Sequence, residues 1–331
     1  MARGDLARRT FIALAAAALA RPYAARAQLA PNRPVRIIVP FAPAGSSDVL
    51  ARLLQSPLQQ ALGQTVIVEN RAGAGANIGM IEAARAEPDG YTLLLTSSAL
   101  VVNPALYKNV AYDPAKDFAP IATLPVAPNI LAVNAKGSTS GNINSLSEVV
   151  TRAKAEPGKL NYASPGNGTT PQLAMELFKL KAGLDIANIP FNGGGPATQA
   201  LLTGTVDLLL TALPGAQAQV QAGVMRGLAV TTQTRWVNLP DVPTFKEAGF
   251  PDVVLETEHF LLAPAGTPPQ LLQRFTQATL AVMAQDEIKN RVIALGYAPV
   301  AAGPDAVRER IANNVPFFKE LIVSAKIPQI E

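Results

Sequence analysis

Short apolar runs suited to buried parallel strands alternate with stretches of helical periodicity, and no other feature of the chain restricts its fold as tightly. Residues 35–39, 66–68 and 91–95 read as strands, with residues 49–62 and 78–85 between them as helices, a β-α-β-α-β order. Within 49–62, Val49, Leu50, Leu53, Leu54 and Leu58 recur at three-to-four spacing while Arg52, Gln55 and Gln59 fall on the other side. One face of that helix packs on a sheet and the other meets water. A sheet layered with helices follows.

Beyond Pro120 the chain passes Pro125 and Pro128 and begins a second series: strand 130–133, helix 146–155, strand 160–163, helix 172–181, strand 186–190, helix 196–202, and strands 206–210 and 227–230. An extended run, 253–263, then precedes helices alone, 269–284, 286–295 and 304–324. Helices without strands cannot build a sheet domain, so this tail is expected back on the first lobe. The fold expected is α/β, with two α/β lobes, residues 28–127 plus 258–331 and residues 128–257. Two chain crossings, near 126–131 and 255–263, would form a hinge. Cysteine is absent, which removes disulfides, thiolate catalysis and a cysteine-linked lipid, and leaves burial to stabilise the chain.

At the amino terminus Arg3, Arg8 and Arg9 lead into the apolar run 11–20, too short to span a bilayer, and Ala25-Arg26-Ala27 has the small-x-small form of a signal peptidase site. The expectation is an export signal over 1–27 cleaved before Gln28, with Arg8-Arg9-Thr10-Phe11 pointing to the twin-arginine route and the mature chain to the periplasm. This segment holds five of the 28 Lys and Arg and one of the 24 acids, so its removal leaves 23 of each and no formal net charge in place of +4. Such a chain makes no electrostatic case for a nucleic-acid or anionic-membrane partner.

Each lobe sends a strand into a small, Gly-containing loop and then a helix, at the strand carboxyl ends where open α/β sheets bind ligands. The first loop is Pro40-Phe41-Ala42-Pro43-Ala44-Gly45-Ser46-Ser47-Asp48 and the second is Ser164-Pro165-Gly166-Asn167-Gly168-Thr169-Thr170. Unpaired amides at a helix start, the positive end of the helix dipole, hydroxyls and glycines all suit an anion. The same residues suit a tight turn with a helix cap, and it is their pairing on facing lobes that favours a ligand. Neither loop contains Lys or Arg. The expected cradle for a carboxylate is therefore made of the amides and hydroxyls of Ser46, Ser47, Gly168, Thr169 and Thr170, with no cationic side chain. Phe41, Ala44, Gly45, Ser164, Gly166 and Asn167 complete the two loops as candidate ligand-binding residues. Asp48 suits the start of its helix with or without a ligand. Thr96 and Ser97 at a strand end, and Phe191, Asn192 and Gly193 ahead of Pro196, are weaker candidates.

Catalytic signatures are missing. Gly73-Ala74-Gly75-Ala76-Asn77-Ile78-Gly79 lies one residue off the dinucleotide fingerprint, so no cofactor is expected. His259, the sole histidine, stands among alternating apolar neighbours and reads as a packed structural residue. No nitrogen- or sulfur-ligated metal site can be assembled without cysteine and with one histidine. A hydrolase working through Asp48 and Glu256 would need the two carboxyl groups to meet, and nothing in the sequence brings them together. A sensory receptor remains an alternative to transport.

Taken together, these segments resemble the tripartite tricarboxylate transporter substrate-binding proteins, the Bug or TctC receptor family. Besides the two loops, the carriers are Ala51-Arg52, Val68-Glu69-Asn70-Arg71-Ala72-Gly73-Ala74-Gly75, Asn103-Pro104-Ala105-Leu106-Tyr107 and Tyr112-Asp113-Pro114. Further along they are Gly193-Gly194-Gly195-Pro196-Ala197, Leu239-Pro240-Asp241-Val242-Pro243-Thr244 and Ala263-Pro264-Ala265-Gly266-Thr267-Pro268-Pro269. The resemblance implies a type II periplasmic binding protein of the Venus-flytrap kind, a monomer that closes on a small carboxylate and passes it to membrane permease subunits. It also implies that the ligand carboxylate meets residues 41–48 and 164–170. Three departures bear on the ligand: Ala44-Gly45 stands for the usual Gly-Gly, Gln172 for a common histidine and Asn192 for a frequent lysine.

Overall fold

The computed structural model describes residues 33–137 and 141–331; the expected export segment, with its cut before Gln28, lies outside them. The first sheet collects β1 (Val35–Val39), β2 (Val66–Asn70), β3 (Thr92–Ser97), β4 (Phe118–Ala127) and β10 (Thr257–Pro264) in the order β2-β1-β3-β10-β4. The second collects β5 (Asn129–Asn134), β6 (Asn161–Ser164), β7 (Ala187–Pro190), β8 (Leu208–Ala212) and β9 (Met225–Val230) in the order β7-β6-β8-β5-β9. The two orders are the same pattern. Three parallel strands are followed by one strand running against both its neighbours, β10 in the first sheet and β5 in the second. In each sheet that reversed strand directly follows a chain crossing, at Pro128 before β5 and at Glu256 before β10.

Helices cover the sheets as the sequence periodicity requires. In α1 (Ser46–Leu62) the buried face is Leu50, Leu53, Leu54, Leu58 and Leu62, and the helix stops at Gly63, whose left-handed backbone lets its amide close on Gln59 and Gln60. The first lobe adds α2 (Asn77–Ala84) and α3 (Ala99–Leu106), and the second adds α4 (Leu146–Ala155), α5 (Thr170–Ala182), α6 (Gly194–Leu202) and α7 (Gln217–Gln221). The carboxyl-terminal helices α8 (Pro269–Ala284), α9 (Asp286–Ala294) and α10 (Pro304–Ser324) return to the first sheet: α8 packs on α1 and β4, and α10 on α3 and β4.

Besides the short α7, two elements escape the sequence pattern. β4 contains Pro120 and Pro125, which argue against a central strand, yet β4 is an edge strand where proline removes no ladder bond. Residues 298–302 cover that edge through bridges to Thr123 and Val126. α3 is interrupted in sequence by Pro104, and its six buried residues leave no polar face to mark the period. Among the described residues no helix is long and apolar enough to cross a membrane.

Candidate functional site

The starts of four helices meet where the lobes face each other. Gly45, Ser46 and Ser47 begin α1, Ser97 precedes α3, Thr169, Thr170 and Pro171 begin α5, and Gly194 begins α6. With Phe41, Pro165, Thr211, Ala212 and Thr257 they line one cavity of about 30 Å³. None of these lining residues carries a charge. Gly45, Thr169 and Gly193 cap their helices without a side-chain bond, and the amides of Ser46, Ser47, Thr170 and Gly194 have no acceptor among the described residues. Unpaired amides at converging helix starts favour negative charge. The volume accommodates little more than water.

Of the residues expected in the site, Phe41, Gly45, Ser46, Ser47, Ser97, Thr169 and Thr170 are brought together around the cavity. The others stand behind it or along the seam between the lobes. Ala44 adopts a left-handed backbone at φ 66, the geometry that makes glycine easier there, and donates its amide to Asp48 Oδ2 at 2.9 Å. Asp48 is buried and engaged within its own lobe: Arg52 Nε donates to both carboxylate oxygens at 3.0 Å and Asn70 Nδ2 to Oδ1 at 2.9 Å. Burial pushes the Asp48 carboxyl up, but these bonds from Arg52, the Ala44 amide and Asn70 outweigh it and hold the group below the ordinary carboxylate range. Glu256 has separate surroundings, a groove shared with Ser98, Glu258 and Arg310, so the two carboxyl groups form no acid–base pair. Thr96, fully buried, has an unpartnered hydroxyl and does not line the cavity.

In the second lobe, Ser164 Oγ donates to Asn188 Oδ1 at 2.9 Å and Asn188 Nδ2 to Asn167 Oδ1 at 3.0 Å, which braces the loop with neutral groups. The Gly168 amide donates to Gln172 Oε1 at 3.3 Å. Gly166, Asn167 and Gly168 face the first lobe directly. A Cβ on Gly168, whose φ is +78, would drive into Asn103 Oδ1, and one on Gly75 would lie 2.5 Å from the Asn167 carbonyl. Phe191 and Asn192 lead into the same seam, where the Ala42 amide donates to the Asn192 carbonyl at 2.8 Å and a Cβ on Gly193 would press on Ala42. These glycines permit backbone-to-backbone contact between lobes.

Hydroxyl protons are allotted differently from the sequence expectation. Thr169 Oγ1 donates to the Gly166 carbonyl at 2.7 Å. Asn129 Nδ2 donates to the Leu255 carbonyl, so its Oδ1 can only accept from Thr257 Oγ1 at 2.7 Å. Thr257 has then spent its proton, and Thr170 Oγ1 must donate to it at 2.7 Å. The protons of Thr169 and Thr170 are thus committed within the protein, whereas the hydroxyls of Ser47, Ser97 and Thr211 donate to nothing among the described residues. Pro165 lies within the second loop, Pro171 directly follows it and Gly194 directly follows Gly193, so sequence proximity marks them. Thr211 and Ala212 end β8, where the strand-end rule applied to that loop would have found them. Thr257 reaches the cavity only through the second crossing, which no local pattern reveals.

Comparison with known proteins places the chain in a family. Residues 50–326 match TctC, the tripartite tricarboxylate transporter family receptor. Protein BugT of Bordetella pertussis is 36% identical over 306 residues, covering 92% of each chain. Rpa4515 of R. palustris, solved with adipate, superposes with a TM-score of 0.86 at 30% identity, covering 91% of this chain and 99% of that one. MatC from Rhodopseudomonas palustris, solved with bound malate, gives 0.81 at 29% identity over 88% of this chain and all of that one. A two-lobed α/β chain with an uncharged, amide-lined cleft between its lobes, and this match along most of its length, belongs to the tripartite tricarboxylate transporter receptor family, the Bug receptors.

Proposed function

We propose that this chain is a periplasmic receptor, monomeric in solution, that captures a small carboxylate between its lobes and delivers it to the membrane permease subunits of a tripartite tricarboxylate-type transporter. The observation that carries the reading is the convergence of unpaired helix-start amides from both lobes on one cavity with no cationic side chain in its lining. Preorganised dipoles bind a carboxylate reversibly, which suits a protein that must also release it. The adipate and malate held by Rpa4515 and MatC are acids of this class. In this reading the lobes are residues 28–127 with 258–331 and residues 128–257, and they close about the crossings at Pro128 and Glu256. The amides of Ser46, Ser47, Thr170 and Gly194 hold the carboxylate, assisted by the free hydroxyls of Ser47, Ser97 and Thr211. Thermal denaturation of the mature protein against mono-, di- and tricarboxylates, aromatic acids and acidic amino acids tests this. A ligand at a hundred times its dissociation constant is expected to stabilise by about 2.7 kcal/mol. Failure of every carboxylate to raise the midpoint would overturn the reading.

A further inference from the structure

One hydroxyl in the cavity is oriented by the chain's sole histidine. His259 is fully buried on β10; its Nδ1 lies 2.7 Å from the Pro125 carbonyl and its Nε2 3.1 Å from Ser46 Oγ, and its ring meets that of Tyr297 edge-on. Burial keeps the ring neutral down to about pH 4. A neutral imidazole carries one N–H, and the Pro125 carbonyl can only accept, so that proton sits on Nδ1. Nε2 is then an acceptor and Ser46 Oγ must be its donor. Ser46 therefore turns its hydroxyl proton away from the cavity it lines and presents lone pairs to it. A carboxylate oxygen placed there would meet lone pairs with no proton between. Swinging the Ser46 proton toward a ligand would strand Nε2, buried, without a donor.

We infer that the ligand of this receptor carries a hydroxyl group beside its carboxylate, and that Ser46 Oγ accepts the hydrogen bond from that hydroxyl, with His259 as the positioning residue. The inference rests on the carboxylate reading above and narrows it to hydroxy acids. Thr170, whose proton goes to Thr257, gives a second lone-pair donor-seeking oxygen on the opposite wall. An ammonium group would also supply a proton, but no carboxylate lines the cavity to balance its charge, and the surrounding helix starts repel a cation.

Two measurements test this. The first is titration calorimetry with matched acids that differ only at one carbon: lactate and propionate, malate and succinate, 2-hydroxyglutarate and glutarate, with aspartate as the amino counterpart. At the chain length that binds, the hydroxy acid should bind at least about tenfold tighter than its deoxy partner, a difference of about 1.4 kcal/mol. Ser46→Ala should abolish that advantage, bringing the affinities of the hydroxy acid and its deoxy partner to within about threefold of each other. His259→Phe, which keeps a ring but offers no acceptor, should shrink the ratio in the same way; if that variant fails to fold, Ser46→Ala carries the test alone. Equal affinity of both acids for the wild type, or preference for aspartate, overturns the hydroxyl inference and leaves the carboxylate reading standing; if no acid of any pair binds, both fail. The second measurement is the nitrogen-15 spectrum of the imidazole in tag-free protein at pH 7, where one histidine gives one assignment. Protonated Nδ1 with bare Nε2 is expected, and the opposite tautomer would overturn the inference without any ligand.

Discussion

The two cleft loops are built on the same geometry and braced by different chemistry. Each follows a parallel strand at the same place in its sheet, β1 in one lobe and β6 in the other, and each opens a helix whose first amides face the cavity. Behind the first loop stand charges and a titratable ring: Asp48 holds the Ala44 amide, Asn70 and Arg52, and His259 holds Ser46. Behind the second stand only neutral amides and hydroxyls, from Asn188, Gln172, Thr257 and Asn129. Matching donors toward the ligand thus need no matching scaffold, and the unlike scaffolds expose the two walls to different perturbations: pH and charge for the first, packing across the seam for the second.

The largest effect should come from the seam. Gly168→Leu puts a side chain where Asn103 Oδ1 already sits, on a backbone that disfavours any Cβ, so closure should fail. Affinity for the best carboxylate is expected to fall at least about a thousandfold, about 4 kcal/mol, with small-angle scattering no longer showing compaction on ligand addition. Gly183→Leu shares the left-handed backbone but has open space at its Cβ, so it should bind as wild type and separate closure from backbone strain.

Acid should act on the first wall. His259 is neutral in the fold with its pKa lowered to about 4 by burial, against 6.5 when unfolded, so below pH 6.5 the unfolded chain takes up a proton that the fold refuses. Stability is complete above pH 6.5 and should decline by about 3 kcal/mol as pH falls to about 4. Urea unfolding across this range checks it, and His259→Gln should flatten the slope. Hydrogen exchange should accelerate first at residues 41–48, with residues 164–170 lagging. Uniform loosening of both loops would break the contrast. Smaller still, Asp48→Ala removes the carboxylate that accepts from Arg52, Asn70 and the Ala44 amide and should cost about 2 kcal/mol by the same assay. The smallest effect belongs to Thr169→Val: its hydroxyl serves the Gly166 carbonyl, so calorimetry should show a loss of only about fivefold, about 1 kcal/mol, in place of the tenfold or more that a direct carboxylate donor would cost.

Much of this architecture is legible in the residues themselves. Periodicity places α4 at 146–155, α8 at 269–284 and α10 at 304–324 without displacement, because each is long enough to show a buried stripe. The two loops are legible from their glycines and from the strand–turn–helix order. Proton direction is not: whether Ser46 or Thr170 gives or takes a hydrogen bond depends on His259 and Thr257, more than 80 residues away in the chain. Gly168 and Gly193 are legible as strand-end loop glycines, but their close approach to Asn103 and Ala42 of the other lobe is not. A glycine in a strand-end loop has one sequence signature whether it approaches a ligand or the opposite lobe, and only the assembled seam tells the two apart.

The central claim is that amide dipoles, and no cation, recognise the charge. Proton–nitrogen amide shifts measured while the strongest-binding carboxylate from the denaturation screen is titrated in test it most directly. Hydrogen bonding to a carboxylate should move the amides of Ser46, Ser47, Thr170 and Gly194 downfield by the largest amounts in the spectrum, in both lobes together. Shifts concentrated instead around Arg226 and Arg235, in the second-lobe groove that these two cations line, would contradict the account.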